Sequence, residues 1–199
     1  GPPRGKTEDR EKIMKPIENC LLTEYSYPNR IAFNPKGDVA AFVVSRADAV
    51  SDCYIHELYV LHGGEYHPAF TLGLIADYIW EDDEHILFLK KSAAYRTEIW
   101  RGSVVTGRTE LAAGYNIAIR EFSLLPGGKL MAIGIVDLRG KELWRLSDAE
   151  AADAAGELMR ENARCETLCE LPYMKNGIPD YLSRRRNTMF ILDLETNGC

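Results

Sequence analysis

A short apolar strand, a four-residue polar turn and a longer apolar strand occur three times in this chain. The stretches are Ile31–Val44, Tyr78–Leu89 and Phe122–Ile135. Their turns begin at Pro35, Glu81 and Pro126, which are 46 and 45 positions apart. A β-hairpin recurring at that interval is the pattern of β-propeller blades. Closed propellers typically need about four to eight blades. The repeat therefore predicts a mainly β fold: an incomplete β-propeller of about three four-stranded antiparallel blades.

The rest of the pattern fills in each blade. Blade one reads as residues 30–74, with a second hairpin turning at His62-Gly63-Gly64-Glu65. Blade two reads as 76–117 and turns at Val105-Thr106-Gly107-Arg108; its Glu98-Ile-Trp-Arg101 answers Glu57-Leu-Tyr-Val60 of blade one. Blade three reads as 119–199 but is interrupted. Ser147-Asp-Ala-Glu150 has the form of a capping box, and the alanine-rich stretch that follows favours helix. A helical insertion over about 147–163 is expected. Thr188–Leu194 then matches a third strand, and the chain stops where the fourth should begin. Residues 1–25 form a separate N-terminal segment, polar at first, with a short helix expected near residues 13–25.

Composition narrows the function. Thirty acidic against 24 basic side chains leave a net charge of −6, which argues against nucleic acid as a partner. No apolar run approaches the roughly 18 residues that span a bilayer, so no membrane partner is expected. The start, Gly1–Lys12, is too polar for a signal peptide. Five cysteines in scattered positions do not form a disulfide framework, and a cytoplasmic setting is expected.

Two phrases carry a family resemblance. Arg30-Ile-Ala-Phe-Asn-Pro-Lys-Gly-Asp38, followed by Ala41–Asp48, is similar to the first-blade phrase of the prolyl oligopeptidase family of serine peptidases. Glu170–Gly177, followed by Arg184–Gly198, resembles a later segment of the same family, in its acylaminoacyl-peptidase-like and dipeptidyl-peptidase-like branches. Asn34 stands where that family has Ser, and Lys36 where it has Asp. The resemblance covers about residues 17–198. It implies a parent with about seven blades and a C-terminal α/β-hydrolase domain bearing a Ser-Asp-His triad. The propeller would gate the access of peptide substrates, and no cofactor is implied.

No catalytic residue is expected within these residues. A nucleophile elbow needs Gly-x-Ser-x-Gly, whereas Arg101-Gly-Ser-Val-Val-Thr-Gly107 has the wrong spacing, so Ser103 reads as a strand or turn residue. There is no Glu-Glu pair, so Glu150, Glu157 and Glu161 receive no amine-binding role. Cys53 and His56 lie three apart on a strand and face opposite sides, which disfavours a metal pair. Cys165 and Cys169 lack neighbouring ligands in the sequence, and no metal site is expected. The acidic run Glu81–His85 reads as a solvated turn, and Trp80, Trp100 and Trp144 as packing residues. Arg184, Arg185 and Arg186 are the candidate contacts for a substrate carboxylate or an acidic partner; the plainer reading is a charged edge strand. Two open flanks predict possible homo-oligomers or dependence on the remaining blades. The alternative class is a propeller-type interaction scaffold with no hydrolase domain. A glycan-processing propeller is disfavoured, since the first strands carry apolar residues, Asn34 or Trp80 where carboxylates would be needed.

Overall fold

The computed structural model describes residues 25–70, 75–138, 140–164, 185–196 and 198–199. The expected N-terminal helix, Cys165, Cys169 and Arg184 lie outside the described residues. Eleven strands form three antiparallel sheets among the described residues. The first sheet is β1 (Ser26–Phe33), β2 (Val39–Asp48), β3 (Cys53–His62) and β4 (Glu65–Pro68), paired in sequence order. The second repeats that order with β5 (Asp77–Trp80), β6 (His85–Ala93), β7 (Arg96–Ser103) and β8 (Thr109–Tyr115). The third has β9 (Ala118–Leu124), β10 (Lys129–Asp137) and β11 (Arg185–Asp193) in the order β9-β10-β11. The helix α1 (Asp148–Arg164) lies between β10 and β11 in the chain. This is the incomplete propeller arrangement that the hairpin repeat predicts.

The sheets stack face against face, and strand alternation decides which residues enter each seam. Ala41 and Val43 of β2 and Leu58 and Val60 of β3 meet Tyr78, Ile86 and Phe88 of the second sheet. The opposite face of the second sheet places Leu87, Leu89, Ile99 and Ala113 against Ile119, Leu130, Ala132, Phe190 and Leu192. Residues 86–89 are fully buried because the middle sheet is covered on both faces. That explains why Ile86-Leu-Phe-Leu89 is a continuous apolar run rather than an alternating one. Phe70 stacks on Phe88 with ring centroids 5.2 Å apart. Its ring needs Gly102 beneath it, since a Cβ there would lie 2.4 Å from the ring.

Polar groups lock the seams. The Tyr78 hydroxyl donates to the Ala41 carbonyl at 2.7 Å and also approaches that of Arg30. Trp80 Nε1 donates to the Ala32 carbonyl at 3.1 Å. Across the second seam, Tyr115 donates to the Asp193 carbonyl at 2.8 Å, and Thr97 Oγ1 accepts from the Ile119 N–H at 3.1 Å. Burial pushes both tyrosine hydroxyls up to about 12, so they remain donors at any physiological pH.

Two faces have no sheet against them among the described residues. On the first sheet, Phe42, Tyr59 and Tyr66 form an aromatic group with centroids 5.8–6.5 Å apart, and Phe33 nearby is 63% exposed. On the third, Met131, Ile133 and Ile135 pair with or flank Met189 and Ile191, which are 67% and 49% exposed.

Candidate functional site

The strand order gives each sheet two unlike edges. Strands β1, β5 and β9 begin at one edge, and β2, β6 and β10 end there. This edge carries the β2–β3 and β6–β7 tips, the β8–β9 link at Asn116-Ile117, and the β10–β11 connection with its helix. Among the described residues the opposite edge carries only short turns.

Hollows lie at both edges: one of about 440 Å³ among the turns, bordered by Glu84, Arg101 and Arg108, and others beside the helix. Ser147 caps α1 as the sequence predicts: its backbone N–H and hydroxyl donate to Glu150 Oε2 at 3.1 and 2.7 Å, and the Ser147 carbonyl accepts from Ala151. Ala151 and Leu158, two turns apart, are the buried contacts of the helix. Before it, a 3-10 turn at Leu143–Arg145 buries Leu143 and sets Trp144 edge-on to Phe190 at 5.3 Å.

Three polar side chains fasten the helix start to the second sheet. Arg96 on β7 contacts Asp148 Oδ1 at 2.5 Å and donates to Asn116 Oδ1 at 2.9 Å. Asn116 Nδ2 donates in turn to Asp148 Oδ1 at 3.2 Å and to the Leu146 carbonyl at 3.4 Å. The Arg96 guanidinium beside Asp148, followed by Asn116, holds that carboxyl below the usual carboxylate range. On one side of this group lies a hollow of about 190 Å³ walled by Ala93, Ala94, Ala151, Ala155 and Met159. On the other lies one of about 420 Å³ bordered by Leu111, Gly114, Tyr115 and Trp144. The smaller walls, mostly alanine, suit an apolar side chain. The arginine is already neutralised by Asp148, so this arrangement positions rather than reacts.

A second ion pair crosses the first seam. Arg30 reaches Asp77, 47 residues away, from a bulged position in β1 where its φ is 52°. Left-handed backbone is uncommon for a non-glycine residue. Burial raises the Asp77 carboxyl above its ordinary value, against the opposing pull of Arg30.

The sequence-picked residues fall as follows. Arg185 and Arg186 open β11 opposite Asp137 and Val136, at the helix-bearing edge, and both are exposed. Ser103 closes β7 and accepts the Thr106 N–H in a turn. Asp82 of the acidic run accepts the N–H groups of Glu84 and His85 at 2.8 and 2.7 Å, so it builds the hairpin. Cys53 is exposed, and His56 bonds Ser45 instead. Among the described residues no three His, Cys, Asp or Glu side chains converge as a metal site would require. The Arg96–Asn116–Asp148 group was not foreseen. Its members lie 20 and 32 positions apart, and no short motif marks them.

No protein-family model matches the chain, and no curated protein matches it. Solved structures do. An acylaminoacyl peptidase in complex with Z-Gly-Gly-Phe-chloromethyl ketone aligns at TM-score 0.59 and 14% identity, over 89% of this chain and 25% of that one. The uncomplexed acylaminoacyl peptidase of Pyrococcus horikoshii aligns at TM-score 0.58 and 14% identity, over 89% and 24%. The chain thus spans about a quarter of the length of these structures. At such identity the likeness is one of fold: the three blade-like sheets follow the same path as part of a much larger peptidase.

Proposed function

We propose that this chain is the non-catalytic propeller portion of a prolyl-oligopeptidase-family serine peptidase. One observation carries the reading: a chain folded as three successive antiparallel sheets aligns over 89% of its length with part of an acylaminoacyl peptidase. The family phrases beginning at Arg30 and Glu170 agree with it. In this reading residues 1–25 precede the propeller, and residues 26–199 supply its first three blades. Further blades cover the aromatic face of the first sheet and the Met–Ile face of the third. Without them, a second copy of the chain is the available cover, so self-association is the expected behaviour of the 199 residues alone.

The parent hydrolyses peptides with a C-terminal α/β-hydrolase domain, and the propeller admits substrates by size and charge. The helix-bearing edge is the side we assign to the hydrolase, because the long β10–β11 connection with its helix and the hollows around it lie there. Arg185 and Arg186 lie on that edge, where a substrate carboxylate or an acidic partner would meet them. No helix among the described residues is long and apolar enough to cross a membrane; we assign a cytoplasmic location. Acyl-aminoacyl chromogenic substrates test the reading. The 199-residue chain should give no turnover, and a gene product extended through a downstream Gly-x-Ser-x-Gly should. Turnover by the 199 residues, or an extended reading frame without that motif, overturns it.

A further inference from the structure

The first seam holds a third hollow at the helix-bearing edge, of about 460 Å³, bordered by Tyr54, His56, Ile75, Ala76, Lys90 and Lys91. A hydrogen-bond relay fixes the imidazole at its wall. Asn29 Nδ2 donates to Ser45 Oγ at 2.8 Å, and Ser45 Oγ lies 2.7 Å from His56 Nδ1. A Ser45 hydroxyl that gives its single proton to Nδ1 selects the tautomer of His56 with its own proton on the far nitrogen. Neutral His56 then carries its proton on Nε2, which has no hydrogen-bond partner among the described residues. Ser45 is only 9% exposed, so the relay is set inside the seam.

Lys90 faces the same seam from the second sheet. Its ammonium lies 5.7 Å from the centre of the Trp100 ring and makes no ion pair or hydrogen bond among the described residues. Two nearby carboxylates are already engaged: Glu98, opposite Lys90, accepts from Trp100 Nε1 at 2.9 Å, and Asp77 is paired with Arg30. Lys91, next along β6, also borders the hollow and adds a second positive charge to it. The hollow thus presents an N–H donor from one sheet, a free ammonium from the next, and the exposed Tyr54 at its rim. Ile75 and Ala76 form an apolar floor.

We propose that this hollow is a carboxylate-binding site that takes the free C-terminus of a short peptide. One carboxylate oxygen accepts from His56 Nε2–H and the other from the Lys90 ammonium. This is the charge-assisted pairing that makes anion contacts strong. Choosing a peptide as the bearer of the carboxylate rests on the peptidase reading above. Binding needs no hydrolase, so its loss and the loss of that reading are separately visible.

The test uses the 199-residue chain with ¹³C-labelled histidine, titrated with N-acetyl-alanyl-alanine and with its C-terminal amide. The His56 ε1 resonance, identified by its disappearance in His56→Asn, should shift saturably with the acid and not with the amide. Lys90→Met should weaken binding about tenfold, as loss of one charged contact does. Lys90→Arg, which keeps the charge and the stem, should bind within about threefold of the original and confirm that the fold survives at that position. An absent shift with the acid, equal shifts with acid and amide, a response to inorganic phosphate alone, or an unaltered affinity in Lys90→Met would each overturn the proposal.

Discussion

The two edges of the sheets are built on different principles. At the turn edge, a short side chain near the head of several turns gathers the backbone donors that follow it. Asn34 Oδ1 accepts from Gly37, Asp38 and Val39 at 2.8, 3.1 and 3.2 Å. Asp82 does the same for Glu84 and His85, and Asp193 for Glu195 and Thr196. These local bonds satisfy groups that a tight turn cannot pair with a neighbouring strand. The turns are also tied to each other: Asn34 Nδ2 donates to the Asp83 carbonyl, and the Lys36 N–H donates to Asp83 Oδ1. At the helix-bearing edge the bonds run between side chains distant in sequence, and hollows lie between them. One edge holds the blades in register. The other leaves room for ligands, which is where loops on a rigid scaffold usually carry function.

The largest effect that separates the edges is expected at Asn34, which is 4% exposed. Asn34→Ala removes an acceptor shared by three N–H groups and a donor to the next sheet. Leaving such groups unpaired should cost about 2–3 kcal/mol, read as a lowered urea midpoint with an unchanged slope. The matching change at the other edge, Arg96→Met, should cost less than about 1 kcal/mol, because Asp148 is 70% exposed and the pair is screened. Equal losses would break the comparison. Between these lies Tyr78→Phe, which keeps the ring in the seam and deletes one hydroxyl donor; about 1–2 kcal/mol is expected.

Much of the turn edge was legible in the sequence, because the bonds that build each single turn span few residues. Pro35, Glu81 and Pro126 mark the repeat, and Gly63 and Gly64 supply the positive φ of their hairpin; at the other edge Ser147 with Glu150 announces the helix start. Asn34 stands out as a departure from the family phrase, yet its role depends on a turn that no composition displays. The helix-bearing edge was mostly illegible. Arg96 meets Asp148 across 52 positions, and Arg30 meets Asp77 across 47. Such pairs are set by the stacking of sheets, and a periodic pattern fixes only which face a residue occupies. In the sequence His56 suggests only a ligand pairing with Cys53. Its true partner, Ser45, sits directly opposite in the neighbouring strand, and register alone reveals it.

The smallest expected effects have opposite signs at two carboxyls of the helix-bearing edge. Asp148 has a lowered folded-state pKa. Its contribution is present above the ordinary carboxylate value of about 4 and is lost as pH falls through the folded value. Asp77 has a raised folded-state pKa, burial outweighing Arg30. In the window between the ordinary and the raised value the folded state holds more protons than the unfolded state. Stability there falls as pH rises, the reverse of Asp148. Asp148→Asn should therefore flatten the acid side of the stability profile, and Asp77→Asn should flatten the side just above it. Denaturant midpoints from about pH 3 to pH 6 separate the two windows. If Asp77→Asn instead removes a loss of stability on acidification, then Arg30 dominates burial at that position. The bulged Arg30 would then act as a stabilising clamp on the first seam, and its left-handed backbone would be strain held by a favourable ion pair.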